Sequence, residues 1–440
     1  MKMRYLKLTR KEYEIIFKQE TRIHKVIEIS QIINAHNKIL TIKVCYAYLS
    51  IKTVKWLKSL DCVIRVNDTT FITQEDFFRN QSDYDSIPMT KEKRNIRNKQ
   101  WDIIKLTNNR KSYRLHNISR KIKIALIDSG IDKDHIDLKH SILRDSKNLV
   151  PKGGFNNTEI YEDGNISNFD DVLGHGTSVA GQITANGVLQ GIAPGIGINV
   201  YRVFGSKVAK TSWIIQAIIE AVDDGNHVIN LSVGSYLLKN GSYINGKNDY
   251  EGFLVFQRAI EYAHSKNVII VSTLGNDALN LKSHTETNDF IQKKNSKKIS
   301  SIGQIIDAPS NFKGVIKSYS IDRDNKISSY SNWGYDNLAI STYGGKISSY
   351  CLNNYNDFIQ KNLYETDWIL STHLQNSYNF FYGNSMATPK ISATIALIID
   401  KFNIFEYPQL AIRHLFNNSY YANGNFKIDT YRCLNTKLSF

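Results

Sequence analysis

The chain has 440 residues, 42% of them hydrophobic, which is enough for more than one domain with a real core. Lysine and arginine number 56 against 41 aspartate and glutamate, a net charge of +15. That charge is spread along the chain without a nucleic-acid motif, so it reads as a lysine-rich solvated surface and argues against a nucleic-acid partner.

Four cysteines, Cys45, Cys62, Cys351 and Cys433, form no C-x-x-C and so no zinc or redox motif. Cys45 and Cys62 are expected on neighbouring strands. No apolar run of about 18 residues predicts a membrane span. The first twenty residues carry charge throughout and lack the apolar segment of a secretory signal. On the sequence as given, the expected location is the cytoplasm; a start further upstream would allow export.

Residues 1–78 read as a small α+β unit. The stretch 36–51 alternates apolar residues like a strand, KTVKWLKSL is a short amphipathic helix, and DCVIRVNDTTFI is a second strand. Residues 79–99 are polar with a basic end, the composition of a linker. From residue 100 to 440 strands and helices alternate. KIKIALIDSG ends in an apolar strand and GHGTSVAGQITANG is a helix entered through glycine. INVYRVFG, HVINLSVG and VIIVSTLGN are strands, and SWIIQAIIEAVDDG and YEGFLVFQRAIEYAHSKN are helices. The alternation implies right-handed crossovers, a buried and mainly parallel sheet, and an α/β fold. Working residues in such sheets lie past the carboxyl ends of strands.

Three positions there stand out. Asp128 ends the first strand, where a carboxylate is partly withheld from water; a turn or cap aspartate is the plainer role. His175 lies between two glycines that let other backbone approach its ring. His135 is a rival base, in a charged loop that is expected to be exposed. Ser385, in FYGNSMATPK, opens an apolar helix whose free N–H groups and dipole suit either a cap or an oxyanion. A serine needs a base, and the base an orienting carboxylate. Asp128, His175 and Ser385 occur in one of the few chain orders known for that triad. Asn276, just past a buried strand, is the candidate second donor of an oxyanion hole.

These stretches resemble the subtilisin-like serine proteases over roughly residues 100–435. The similarity lies in ALIDSGIDKDHIDL, GHGTSVAGQI, VINLSVGS, VSTLGND and GNSMATPKISA. It implies a three-layer subtilisin-like catalytic domain with Asp128, His175 and Ser385 as catalytic residues and Asn276 in the oxyanion hole. Ser232, Val233 and Gly234 match the edge that pairs with an extended substrate. The N-terminal unit resembles the family's α+β pro-peptide, with a permanent extra domain as the alternative, and the basic run at 91–99 is then a candidate processing region.

Within the family, residues 100–115, 187–207 and 385–401 are similar to lantibiotic leader peptidases of the epidermin type, whose lysine at the position of Lys390 it shares. Asn384 departs from the usual threonine. No cofactor is implied to be required. Asp137 matches one ligand of the family's strong calcium site, but the loop supplying the others is shorter here.

The resemblance implies a peptide substrate, a lantibiotic precursor, cut by an acyl-enzyme route by a monomeric enzyme. Asp277 either favours a basic residue at the first pocket or is a turn aspartate. The aromatic residues of 346–379 (Tyr350, Tyr355, Phe358, Tyr364, Trp368, Tyr378) either recognise a bulky peptide or pack an insertion. A general degradative protease, or a dead protease acting as a binding protein, is the alternative function.

Overall fold

A computed structural model describes residues 11–68, 71–73 and 96–438, except 207, 245–247, 296–298, 302, 335–337 and 423–424. The N-terminal unit comprises β1 (Lys11–Phe17), helix Ile23–Ile32, β2 (Asn37–Ile39), β3 (Val44–Leu49), helix Ile51–Lys58 and β4 (Val63–Asp68). Its sheet order is β2-β3-β1-β4, with β1 antiparallel to β3 and β4.

The single strand expected over 36–51 is broken. Leu40–Ile42 form a 3-10 turn that ends at Lys43 in the left-handed region, and this re-aims the chain into β3. Cys45 lies on β3 and Cys62 just before β4, so β1 separates them; they are not on neighbouring strands, and both are free thiols. β1 and the first helix lie in a stretch whose charge hides its pattern. Ile15 and Phe17 pack on the unit's own helices, while Glu12, Glu14 and Ile16 alternate onto the opposite face.

The rest of the chain adds β5 (Phe71–Thr73), β6 (Lys123–Asp128), β7 (Lys147–Asn148), β8 (Gly197–Arg202), β9 (Val208–Lys210), β10 (Val228–Leu231), β11 (Ser235–Leu238), β12 (Ser242–Tyr243), β13 (Ile269–Thr273), β14 (Ile299–Ser301), β15 (Ile305–Ala308), β16 (Ile316–Ile321), β17 (Ala339–Tyr343), β18 (Ile369–His373), β19 (Ser377–Phe381), β20 (Tyr420–Ala422) and β21 (Asn425–Lys427). Nine of these form one sheet in the order β20-β21-β17-β16-β13-β10-β6-β8-β7, parallel except for β20. Alternate residues of β6 face opposite layers. Ile124 and Leu126 pack with helices His175–Thr184 and Asn384–Phe402, while Ala125 and Ile127 pack with helices Thr211–Asp223 and Tyr250–Ser265. Each isoleucine or leucine so buried contributes about 1.5–3 kcal/mol. This is the predicted three-layer α/β architecture.

Residues 74–78 of the predicted N-terminal unit and 79–95 of the predicted linker lie outside the described residues; Ile96–Lys99 form a short 3-10 turn. The N-terminal unit packs on helices Thr211–Asp223 and Tyr250–Ser265 through Ile16, Val44 and Tyr46. β5 pairs antiparallel with β9.

Candidate active site

The parallel sheet sets all its carboxyl ends along one edge, and the predicted residues collect there. Asp128 closes β6 and is fully buried. Its Oδ1 accepts the Ser129 N–H at 2.7 Å and lies 2.7 Å from His175 Nδ1. His175 opens its helix directly after Gly174. A side chain on Gly176 is impossible, because its Cβ would lie 2.1 Å from the Gly130 carbonyl oxygen. That glycine lets the histidine helix press onto the turn beyond Asp128.

Sequence reasoning missed the residue that fixes this turn. Asp171 Oδ1 accepts Ser129 Oγ and the N–H groups of Leu173 and Gly174, while Oδ2 accepts both N–H and Oγ1 of Thr177. Ser129 Oγ in turn accepts the Gly176 N–H at 2.9 Å. One carboxylate thus caps the His175 helix and holds it to the Asp128 loop. The only local signal was an aspartate four residues before the histidine, and aspartates are common in loops.

Ser385 is the second residue of helix Asn384–Phe402, whose first-turn N–H groups are left over by the helix ladder. Gly383 precedes it at φ +142, a conformation that side chains rarely adopt. A Cβ there would sit 3.2 Å from Ser385 Oγ and 3.7 Å from Asn276 Nδ2, so both groups converge on one spot. The Asn276 amide is oriented by its Oδ1, which accepts the Asn384 N–H at 2.9 Å and leaves Nδ2 on the serine side. The His175 and Ser385 helices pack on one another. Ser232 Oγ, just past β10 and therefore one strand from Asp128, reaches the Ser385 carbonyl at 3.4 Å.

Asn384 has a clear structural role. Its Oδ1 accepts the Ser320 N–H and Ser331 Oγ, and its Nδ2 donates to the carbonyls of Leu274 and Gly275. It ties the serine helix to β16 and to the segment carrying Asn276. His135, expected in an exposed loop, is fully buried instead: its Nε2 lies 3.1 Å from the Ser377 carbonyl and its ring meets Tyr378 edge-on. Packing under the β18–β19 hairpin makes it a structural histidine.

The strip Ser232–Val233–Gly234 runs from β10 to β11. Asn230 Nδ2 holds Ser232 Oγ, and Val233 is buried. Asp277 lies beside this strip, and its Oδ2 accepts the Tyr236 hydroxyl at 2.6 Å. A second acid, unremarked in the sequence, lies closer. A Cβ on Gly234 would be 3.4 Å from Asp307 Oδ1, while Asp307 Oδ2 accepts the Gly275 N–H. Burial pushes the Asp307 carboxyl up to about 7; the Asp277 charge adds to this, and the Gly275, Asn332 and Ser310 hydrogen bonds oppose it.

The profile of peptidase S8, the subtilase family, matches residues 119–431. The chain belongs to the subtilase family. It is 45% identical over 338 residues to the nisin leader peptide-processing serine protease NisP of Lactococcus lactis subsp. lactis, a match covering 77% of this chain and 49% of that protein. The match therefore spans about half the length of that relative. It is 38% identical over 350 residues to the epidermin leader peptide-processing serine protease EpiP of Staphylococcus epidermidis, covering 76% of this chain and 74% of that one. The crystal structure of EpiP from Staphylococcus aureus superposes with a TM-score of 0.85 at 30% identity, covering 98% of this chain and all of that one.

Family membership raises the question of calcium, and in this subtilase the strong-site residues do not fit the ion. Asp137 Oδ1 and Oδ2 accept the N–H groups of Val188 and Leu189 at 2.7 and 2.8 Å. The loop carbonyls of Gly187 and Val188 accept the Arg97 guanidinium. Calcium requires oxygens turned inward, and here those oxygens face N–H donors.

The aromatic residues of 346–379 in this subtilase are mostly packed inward. Phe358, Tyr364, Trp368 and Tyr378 lie in the core, and Tyr350 is the most exposed of the six aromatic residues named above. The β18–β19 hairpin grips the histidine helix: Ser371 and Thr372 donate to the carbonyls of Ser178 and Thr177, and Gln182 donates to Leu370. Lys390 is fully buried and does not line the cleft. It pairs with Asp102 at 2.9 Å and donates to the Tyr343 and Met386 carbonyls, tying the segment after the linker to the serine helix. Burial pulls its ammonium below the ordinary lysine range.

Proposed function

We propose that this chain is a serine endopeptidase that removes the leader from a lantibiotic precursor, cutting after a basic residue. The reading is carried by the Asp128–His175 pair set at the sheet edge with Ser385 and Asn276. His175 takes the Ser385 proton as Oγ attacks the scissile carbonyl, and Asp128 holds the imidazole tautomer and balances its charge. Asn276 Nδ2 and the Ser385 N–H receive the oxyanion. The imidazolium then protonates the leaving amine, and water, activated in turn by His175, frees the acyl group.

The substrate class is supported by the names of the two relatives, both leader-processing proteases. An extended peptide laid on Ser232–Gly234 would bring its side chain towards Asp307 and Asp277. A guanidinium or ammonium there meets two acids, and its charge draws the Asp307 proton off. We read the N-terminal unit as a pro-region. β9 lies past the carboxyl end of β8, at the edge where an extended chain can add, and β5 occupies it.

The test is mass spectrometry of a modified precursor incubated with the enzyme freed of its N-terminal unit. One cut after arginine or lysine supports the reading. Diffuse digestion of precursor and casein alike points to a degradative enzyme, and no cut in either overturns the peptidase assignment.

A further inference from the structure

The face that the N-terminal unit turns towards the catalytic helices carries carboxylates where a docking surface is ordinarily apolar. Glu12 and Glu14 alternate with Ile16 along β1, opposite Tyr48, Tyr46 and Val44 of β3. Glu12 is matched: Lys210 of the catalytic unit lies 2.7 Å away, and His36 lies 2.9 Å away. Glu14 is not. It is 5% exposed, accepts one hydrogen bond, from the Tyr46 hydroxyl at 2.7 Å, and among the described residues forms no ion pair. Glu12 on its own strand and Glu251 of helix Tyr250–Ser265 both repel a charge there. Arg258 of that helix attracts it but donates to the Ile42 carbonyl at 3.0 Å, and Arg65 of β4 faces Glu251 at 3.7 Å.

We propose that the N-terminal unit is held on the catalytic unit by a proton: neutral Glu14 seals the docking face, and ionised Glu14 loosens it. The idea rests on reading this unit as the cover of the cleft. Its physical basis is that a charge cannot be buried unpaired without cost. Undocking exposes β1 to water, where the carboxylate is solvated and the repulsion of Glu251 is gone. In the docked chain burial pushes the Glu14 carboxyl up from 4.5 to about 7, with Tyr46 and Arg258 opposing and Glu251 and Glu12 adding. The docked state therefore holds one more proton than the undocked state between those values. Docking is strongest in acid, weakens as pH rises through that window, and levels off above it.

The experiment uses the full chain carrying Ser385→Ala, which cannot process itself. Hydrogen exchange at the paired β5 and β9 amides, corrected for intrinsic exchange, reports opening. The opening constant is expected to rise by nearly 10-fold per pH unit between about 5 and 7, and to flatten above. Glu14→Gln should abolish the slope. Glu251→Gln, which removes a repelling charge, should move the window to lower pH and serves if Glu14→Gln does not fold. A flat parent profile, or a slope that survives Glu14→Gln, overturns the proposal. Binding of a fluorescent arginine-containing peptide to the same protein separates the two readings. If binding ignores opening, the unit is not a cover, yet the proton-held contact stands.

Discussion

Asp128 and Glu14 are both buried carboxylates, one at the heart of the cleft and the other at the heart of the docking face. Asp128 receives a backbone N–H from its own turn and an imidazole held by a helix that Asp171 caps. Every donor is placed by a rigid element of one unit. Glu14 has a tyrosine from its own sheet, and the arginine that attracts it, Arg258, belongs to the other unit and is spent on a carbonyl. A buried charge with fixed donors becomes machinery, whereas one whose surroundings can move away becomes a titrating contact.

That contrast can be broken at several points. The largest effect is expected at the cleft. Ser385→Ala should lower kcat by about 10⁶-fold, and Asp128→Asn by about 10⁴-fold through loss of the imidazole tautomer, with the pH profile of docking unchanged. Steady-state kinetics beside hydrogen exchange checks both.

Lys390→Met strands Asp102 in the core and should cost about 3–5 kcal/mol in chemical denaturation, while Lys390→Met with Asp102→Leu should recover much of it. If the single variant is neutral, a buried ion pair here is no more fixed than Glu14, and the distinction drawn above weakens.

Asn276→Leu should lower kcat by about 10²–10³-fold with little change in KM. Asp307→Asn is the mildest. The ratio of kcat/KM for arginine over leucine substrates should fall by about 10- to 100-fold. In the wild type that ratio should climb with pH through about 7, as the Asp307 proton is lost, and in the variant it should stay flat. A common substrate-independent rise cancels in the ratio.

The sheet and the places of Asp128, His175, Asn276 and Ser385 at its carboxyl edge were legible in the sequence because each part announces itself locally. Apolar runs ending in Asp128 or Leu274–Gly275 are parallel strands, Gly176 marks a place where other backbone approaches closely, and Gly174 and Gly383 mark positive φ. What was illegible depends on distant pairing. Asp307 gains meaning only because β15 pairs with β11 and sets its carboxyl beneath Gly234. Asp171 looks like any loop aspartate until five donors are found on it. The aromatic residues of 346–379 carry no sign of whether they face in or out, and β18 decides it by stitching the segment to the histidine helix. Cys45 on β3 and Cys62 just before β4 flank strands that are successive in sequence yet not adjacent, because β1 inserts between them. β1 was obscured because both its faces are used and one of them carries glutamates.

The central claim is that Asp128 and His175 activate Ser385. It is tested most directly by reaction with a fluorophosphonate, in which Ser385 Oγ bonds to phosphorus and fluoride leaves, followed by peptide mapping. One adduct on Ser385, formed far more slowly in Asp128→Asn and His175→Ala, is the predicted result; an adduct on another residue, or equal rates in all three proteins, would contradict it.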